Sequence, residues 1–551
     1  MPAPTPAPGA PPVAPVSPAS PISPISPEED WPRLQAVIEG LRAEVHPGAA
    51  GRVGRDNSLE RDLGLDSLAR GELLLRIEAA FGVRLPEGTL GRAETPGDLL
   101  QALTEGTAPT RSMSRAPPAP LPPPREAISL PLGATTLTEV LQWHADHSPE
   151  REHIRFLAAE GEVESLTYRG LLEAARQLGA GLLASGLAPG QTVAIMLPTS
   201  LAFFQVFFGT LLAGGVPVPL YPPANPSRLA DHLHRQAGIL ESCQAPLLVT
   251  VAEARPLARL VQARVETLKR VVTAAELLAL GAGRASALAS HPAEASGLAL
   301  LQYTSGSTGN PKGVTLTHAN LLANIRAWSR ATELTPEDVC VSWLPLYHDM
   351  GLIGAWLGSL YNGCQLVLMS PLAFLARPED WLWAIHRYRG TVTAAPNFAF
   401  ELCLRRLASA GPDIFAGLDL SSWRLAANGA EPVSPDTLAR FGAGFAPYGF
   451  RPQALAPVYG LAECAVGLAV PPMGRGPRID RVERDALALR GEARPAAADV
   501  AHALAFVACG HALPGHEMRV VSDAGEELPE RRVGRLEFRG PSATAGYFRN
   551  P

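Results

Sequence analysis

Two proline-rich stretches divide this chain and limit what it can fold into. Residues 1–27 are almost all Pro, Ala, Ser and Val. Such a segment buries too little apolar surface to offset the entropy of ordering, so a disordered tail is expected. Residues 108–128 return to proline, and Ala116-Pro117-Pro118-Ala119-Pro120-Leu121-Pro122-Pro123-Pro124 reads as a semi-rigid spacer. Between them, residues 28–107 are periodic and charged. From 129 to 551 short apolar runs alternate with longer helical patterns, which means α/β layers. A chain of 551 residues is also too long for one core. The expectation is a multidomain protein: a small all-α domain, then a large α/β domain.

Charge and cysteine usage exclude several classes. The net charge of −6 argues against a nucleic-acid surface. The cysteines at 243, 340, 364, 403, 464 and 509 form no C-x-x-C pair and read as buried thiols of a reducing compartment. The N-terminus lacks the charged region and apolar core of a signal peptide, so a cytoplasmic location is expected. No charge occurs between Gln191 and Ser227, and residues 201–221 are long enough to suggest a membrane span. Pro198, Gly214-Gly215, Pro217 and Pro219 break that run, so a buried strand–helix–strand unit is expected, not a span.

The chemistry begins at Tyr303-Thr304-Ser305-Gly306-Ser307-Thr308-Gly309-Asn310-Pro311-Lys312-Gly313-Val314. Glycines let backbone N–H groups converge on an anion, hydroxyls add donors, and lysine supplies a mobile point charge. The chain has only two lysines, Lys269 and Lys312, and one of them falls here. The run follows the apolar Leu298-Ala299-Leu300-Leu301, a buried strand end, and suits a polyphosphate. Its spacing is not that of the P-loop. It resembles the signature loop of the adenylate-forming superfamily, which makes acyl-AMP from ATP and a carboxylate. The resemblance implies phosphate-binding and catalytic roles for Thr304, Ser305, Gly306, Ser307, Thr308, Gly309 and Lys312.

Residues 28–107 carry fifteen acidic and nine basic side chains, so the acidity of the whole chain is concentrated there. Within Asp62-Leu63-Gly64-Leu65-Asp66-Ser67-Leu68, Ser67 should start a helix whose apolar face is Leu74, Ile77 and Phe81 and which ends at Gly82. An N-cap role for Asp66 or Ser67 would explain an isolated pair. In this acidic, helical setting the segment resembles an acyl carrier protein. That implies a four-helix bundle with 4′-phosphopantetheine esterified to Ser67, and a phosphopantetheinyl transferase and acceptor synthases as partners.

Further segments resemble the adenylating family. Trp343-Leu344-Pro345-Leu346-Tyr347-His348-Asp349-Met350-Gly351-Leu352 is similar to its aromatic/His motif, which implies that His348 lines the acyl and phosphate site. Asn428-Gly429-Ala430-Glu431-Pro432 resembles the adenine segment, implying that Gly429, Ala430 and Glu431 bind the nucleotide. Tyr459-Gly460-Leu461-Ala462-Glu463 resembles the next motif, with Tyr459 and Gly460 at adenine and Glu463 on Mg²⁺. The 46 residues between Glu463 and Gly510 include a charged, helix-like stretch over 479–490. An insertion here resembles the fatty acyl-AMP ligases, which deliver the acyl group to a carrier and not to coenzyme A.

The expected activity is therefore ATP-dependent activation of a fatty acid and its transfer to a carrier thiol, as a loading unit for a downstream carrier-dependent synthase. The family's ribose aspartate and small C-terminal lid do not follow Phe548. The sequence is thus expected to be a fragment, or to receive a lid from another polypeptide. The alternatives are an acyl-CoA ligase, and a carrier and docking module around an inactive adenylating shell.

Overall fold

A computed structural model describes residues 26, 28–45, 52–59, 61–65, 67–83, 85–86, 89, 93–106, 128–158, 162–222, 229–284, 288, 293–304, 311–410, 412–497, 499–500 and 502–550. These form two compact units, one within the residues up to 106 and one from 128 onward.

In the small unit the helices are Trp31–Val45, Ser67–Phe81 and Pro96–Thr104. The first presents Leu34, Ile38 and Leu41 at helical spacing, and all are buried. The second buries Leu73, Leu74, Ile77 and Phe81 against them, and the third adds Leu99, Leu100 and Leu103. The second helix stops at Gly82, whose φ of +65° suits a residue without a Cβ. Thr95 and Asp98 form a reciprocal capping box on the third. The fourth helix of the expected bundle is not among the described residues.

The large unit is built on two sheets. The larger has the order Leu455–Pro457, Leu425–Asn428, Val392–Ala395, Val339–Ser342, Gln365–Met369, Glu152–Leu157, Val163–Thr167. All its pairings are parallel except the terminal hairpin. The smaller runs Val216–Pro219, Thr192–Met196, Leu247–Thr250, Arg270–Thr273, all parallel. Strands Leu298–Thr304 and Lys312–Thr317 pair antiparallel as a separate ribbon.

The uncharged segment is the expected strand–helix–strand unit: Thr192–Met196, Leu201–Leu212 and Val216–Pro219. Among the described residues no helix is long and apolar enough to cross a membrane. Phe203, Phe204, Phe207 and Phe208 surround the indole of Trp356, with centroids 4.5–6.4 Å away. Trp356 belongs to the π-helical segment Met350–Leu357. Gly351 there lies so close to Pro345 that a Cβ would stand 2.3 Å from its carbonyl oxygen.

One expectation is corrected. The stretch 479–490 is not helical throughout: Ile479–Val482 is a strand paired antiparallel with Leu504–Val507, and only Arg484–Arg490 is helix. The strand is fixed by its pairing, Ile479 with Val507 through Val482 with Leu504, and Val482 alone of the four is buried.

Trp356→Ala is expected to lower the stability of the large unit by about 3–5 kcal/mol, because the aromatic cluster cannot close over the lost indole. Denaturant unfolding of the variant against wild type measures it.

Candidate functional site

Lys312 opens its strand directly opposite Thr304. Residues 305–310, and with them the expected Ser305, Gly306, Ser307, Thr308 and Gly309, lie outside the described residues. Gly313 is required next to the lysine, since a Cβ there would stand 2.8 Å from the ring of Tyr303. That ring is fixed by its hydroxyl, which donates to Ser242 Oγ at 2.8 Å.

The segment 544–548 lies against this strand. Phe548 N donates to Gly313 O at 2.7 Å, Thr315 N donates to Gly546 O at 3.1 Å, and Tyr547 bridges Val314. Tyr547 thus shares a face with Lys312, and Lys312 Nζ stands 5.1 Å from the centre of its ring. The Tyr547 hydroxyl donates to Glu463 Oε1 at 2.8 Å. Thr544 N donates to the Glu463 carbonyl at 2.8 Å. Lys312 and Glu463, far apart in sequence, are gathered at one tyrosine.

Beneath Glu463 the packing is polar and fully buried. Asn324 Nδ2 donates to Cys464 O at 2.9 Å, Gly467 O at 2.7 Å and Ser542 Oγ at 3.1 Å, and Gly467 N donates to Asn324 Oδ1 at 3.1 Å. His516 Nε2 joins Ser542 Oγ at 2.5 Å.

At the expected nucleotide segments, Gly429 has no room for a side chain: a Cβ would lie 2.9 Å from Val458 O. At Gly460 it would lie 1.8 Å from Val466 O. Ala430 takes a φ of +66°, a conformation that costs a non-glycine residue of order 1 kcal/mol or more. Tyr459 has its backbone paired with Ala469 while the residue remains 41% exposed. Glu431 points elsewhere: its Oε1 accepts from Phe398 N at 2.7 Å.

His348 Nδ1 meets Asp349 Oδ1 at 2.7 Å, and Asp349 also accepts from Met350 N at 2.7 Å, capping the π-helical segment. The Asp349 carboxylate raises the His348 pKa above 6.5, against the opposing effect of burial. The imidazole is therefore biased toward its cationic form.

His348 and Asp349 line two cavities. The first, about 180 Å³, has Ala430, Tyr459 and Gly460 at the carboxyl ends of the strands and runs between the large sheet and the π-helical segment. Cys340, Val392, Ala394 and Ala427 face it from the sheet, and Gly354, Ala355 and Ser359 from the helices. It ends at Asp338 and Cys364. Burial pushes the Cys340 thiol up to about 12 and also raises Cys364 well above the usual thiol range, so both stay neutral. Burial also acts to raise the Asp338 carboxyl, but Arg424, Thr391 and Thr335 outweigh it and hold it below the usual range. Arg424 binds that carboxylate with both Nε (2.8 Å) and Nη2 (2.7 Å). The second cavity, about 270 Å³, is lined by Tyr221, Arg235, Gln302, Thr304 and Tyr347.

The residues present fit a Mg²⁺ nucleotide. Among the described residues no group of three or more His, Cys, Asp and Glu gathers as a metal cage. Magnesium needs only one or two carboxylates when phosphate oxygens complete its shell, and Glu463 keeps a second oxygen for it. Ser67 is the first residue of its helix, where backbone N–H groups favour a phosphate. Asp66 is outside the described residues.

Comparison with known proteins agrees with this geometry. The model of the family described as AMP-binding enzyme matches residues 141–548, and that described as phosphopantetheine attachment site matches 43–103. The chain is 34% identical over 421 residues to the medium-chain-fatty-acid–[acyl-carrier-protein] ligase JamA of Moorena producens, covering 75% of this chain and 70% of the relative. It is 34% identical over 436 residues to the long-chain-fatty-acid–AMP ligase FadD32 of Mycolicibacterium smegmatis, covering 77% and 67%. A solved fatty acyl-adenylate ligase, from a study of the E. coli and L. pneumophila enzymes, superposes with a TM-score of 0.71 at 36% identity, covering 75% of this chain and 73% of that one. The chain belongs to the AMP-binding, adenylate-forming enzymes, with a phosphopantetheine-attachment domain ahead of the ligase domain. ATP, Mg²⁺ and covalent phosphopantetheine are the cofactors of that pair.

The sequence alone assigns no role to Tyr547 or to Asn324. An asparagine among the buried positions Leu321, Leu322 and Ile325 was the available signal for Asn324. Nothing local marks Tyr547, whose partners come from distant segments.

In Asp349→Asn the His348 imidazole should titrate at lower pH than in wild type, because its charged partner is gone. Imidazole resonances followed by NMR across pH 5–9 check this. An unchanged titration would mean that Asp349 does not set the charge of His348.

Proposed function

We propose that this chain activates a fatty acid as its acyl-AMP and loads it onto a phosphopantetheine thiol, as the first unit of a carrier-dependent synthesis of a lipid, polyketide or lipopeptide. The observation that carries this reading is the first cavity. It leads away from the expected nucleotide residues between apolar and small side chains, with His348 paired to Asp349 near those residues and Asp338 committed to Arg424 at the other end. A fatty tail fits such a space, whereas an amino acid's ammonium would meet near the entrance only Asp349, a carboxylate already engaged by His348 and Met350 N.

In the reaction, an ionised carboxylate attacks the α-phosphate of ATP and pyrophosphate leaves. Lys312, with the hydroxyls of Thr304, Ser305, Ser307 and Thr308 and the backbone of Gly306 and Gly309, would hold the phosphates. Tyr459 offers an exposed ring to adenine, and the crowded Gly429 and Gly460 with the turned Ala430 let the backbone approach it. Glu431, held on Phe398 N, would act by fixing that turn. Glu463 would ligate Mg²⁺. A cationic His348 is suited to stabilising charge at the junction of carboxylate and phosphate, not to removing a proton. When attached to Ser67, phosphopantetheine supplies the thiol that accepts the acyl group. The second cavity meets the first at His348 and supports a route by which a thiol could reach the acyl carbon.

The acceptor is a carrier and not coenzyme A. Supporting this, the insertion is a folded element: its hairpin 479–507 is braced by Glu492 with Arg494 at 2.7 Å and Arg532 at 2.9 Å.

Intact-mass spectrometry tests the reading. After treatment with a phosphopantetheinyl transferase the protein should gain one phosphopantetheine. Adding ATP, Mg²⁺ and a fatty acid should then add one acyl group. Ser67→Ala should abolish both adducts, and Lys312→Ala should slow acylation by about 10²–10³-fold. Acyl-coenzyme A forming as fast as the loaded carrier would favour an acyl-CoA ligase instead.

A further inference from the structure

We propose that Tyr547 is a positioning residue that presets the metal carboxylate and the phosphate lysine together, so that Mg²⁺ and the nucleotide phosphates find one prearranged site. The inference rests on the reading of Glu463 as the Mg²⁺ ligand and Lys312 as the phosphate cation.

Tyr547 touches both groups with different parts of its side chain. The hydroxyl donates to Glu463 Oε1 at 2.8 Å, while the ring lies 5.1 Å from Lys312 Nζ. A phenol hydroxyl carries the one hydrogen in this contact, so the carboxylate is the acceptor. The tyrosine is itself fixed by backbone on both sides. Its neighbours Gly546 and Phe548 pair with Thr315 and Gly313, and Thr544 grips the Glu463 carbonyl and, through its hydroxyl, the Thr315 carbonyl at 2.6 Å. The short segment 544–548 therefore connects the strand that carries Lys312 to the turn that carries Glu463.

The direction of the hydrogen bond matters. A carboxylate has two oxygens and about four lone-pair sites. With Oε1 held by Tyr547, the carboxylate plane is set and Oε2 is left for the metal. Outer partners that orient metal ligands typically contribute about 10–100-fold to metal affinity. Without the phenol, Glu463 would be free to swing onto the Lys312 ammonium, which would neutralise both groups before nucleotide arrives. The ring, by contrast, holds the ammonium over its face without consuming it as a salt-bridge partner.

The two parts of the side chain can be separated experimentally. Tyr547→Phe keeps the ring and removes the hydroxyl; Tyr547→Leu removes both. ATP binding is measured by calorimetry across a Mg²⁺ titration, with thermal unfolding in parallel and Glu463→Gln as reference. Tyr547→Phe is expected to raise the half-saturating Mg²⁺ roughly tenfold, with little change in ATP affinity at saturating Mg²⁺. Tyr547→Leu should raise the Mg²⁺ requirement and also weaken ATP at saturating Mg²⁺. If Glu463→Gln shifts the Mg²⁺ midpoint but Tyr547→Phe does not, or if Tyr547→Phe only lowers the unfolding temperature, the inference is overturned while the metal reading stands. If Glu463→Gln also leaves the midpoint unchanged, the metal reading itself falls, and this inference with it.

Discussion

The side-chain amide of Asn324 joins three parts of the ligase domain that have no sequence continuity. It sits in the helix His318–Ala331, which follows directly from the Lys312 strand, and is fully buried. From there it holds the carbonyls of Cys464 and Gly467 in the Glu463 turn and the hydroxyl of Ser542 before the segment 544–548. Each of those groups is a buried acceptor that would cost about 1–3 kcal/mol if left unmade. Asn324 shares this task with Ser542 and His516, so the buried groups form one connected polar network. The contacts of Tyr547 with Lys312 and Glu463 lie on the segments that this network ties together.

Charge is distributed to match. At the end proposed for the nucleotide stand a lysine, a histidine whose pKa a carboxylate raises, and a carboxylate already engaged by a phenol. Along the cavity the titratable groups are thiols that burial keeps neutral. At the far end Asp338 is ionised but fully committed to Arg424, Thr391 and Thr335. On the proposed reading, a polar head and an apolar tail would meet different environments. The small side chains of Gly354, Ala355, Ala394 and Ala427 set the width of the cavity.

Local signals in the sequence carried much of this. Leu74, Ile77 and Phe81 marked the carrier helix and Gly82 its end, as found. The breakers around 198–219 correctly argued for a buried strand–helix–strand unit. The glycines of the adenine segments were legible as motifs, and the structure gives their reason in the close approach of Val458 and Val466. What was not legible is non-local. The π-helical winding at Met350 depends on Gly351 packing on the Pro345 carbonyl. The strand Ile479–Val482 needs its partner at Leu504–Val507, and charge alone suggested a helix there. Tyr547 gains its place from pairing with Val314, which no pattern within either segment announces.

The central claim is that one space receives both adenylate and fatty tail. Calorimetry with non-hydrolysable acyl-sulfamoyl adenosines of increasing chain length tests it most directly, because it reads binding without requiring turnover. The account predicts affinity that rises with each added methylene, by about 0.8 kcal/mol when fully buried, until the tail reaches Asp338 and Cys364, and then stops rising. It also predicts that Ala427→Leu removes that gain while leaving AMP binding unchanged. Affinity independent of the tail, equal to that of AMP alone, would contradict the account.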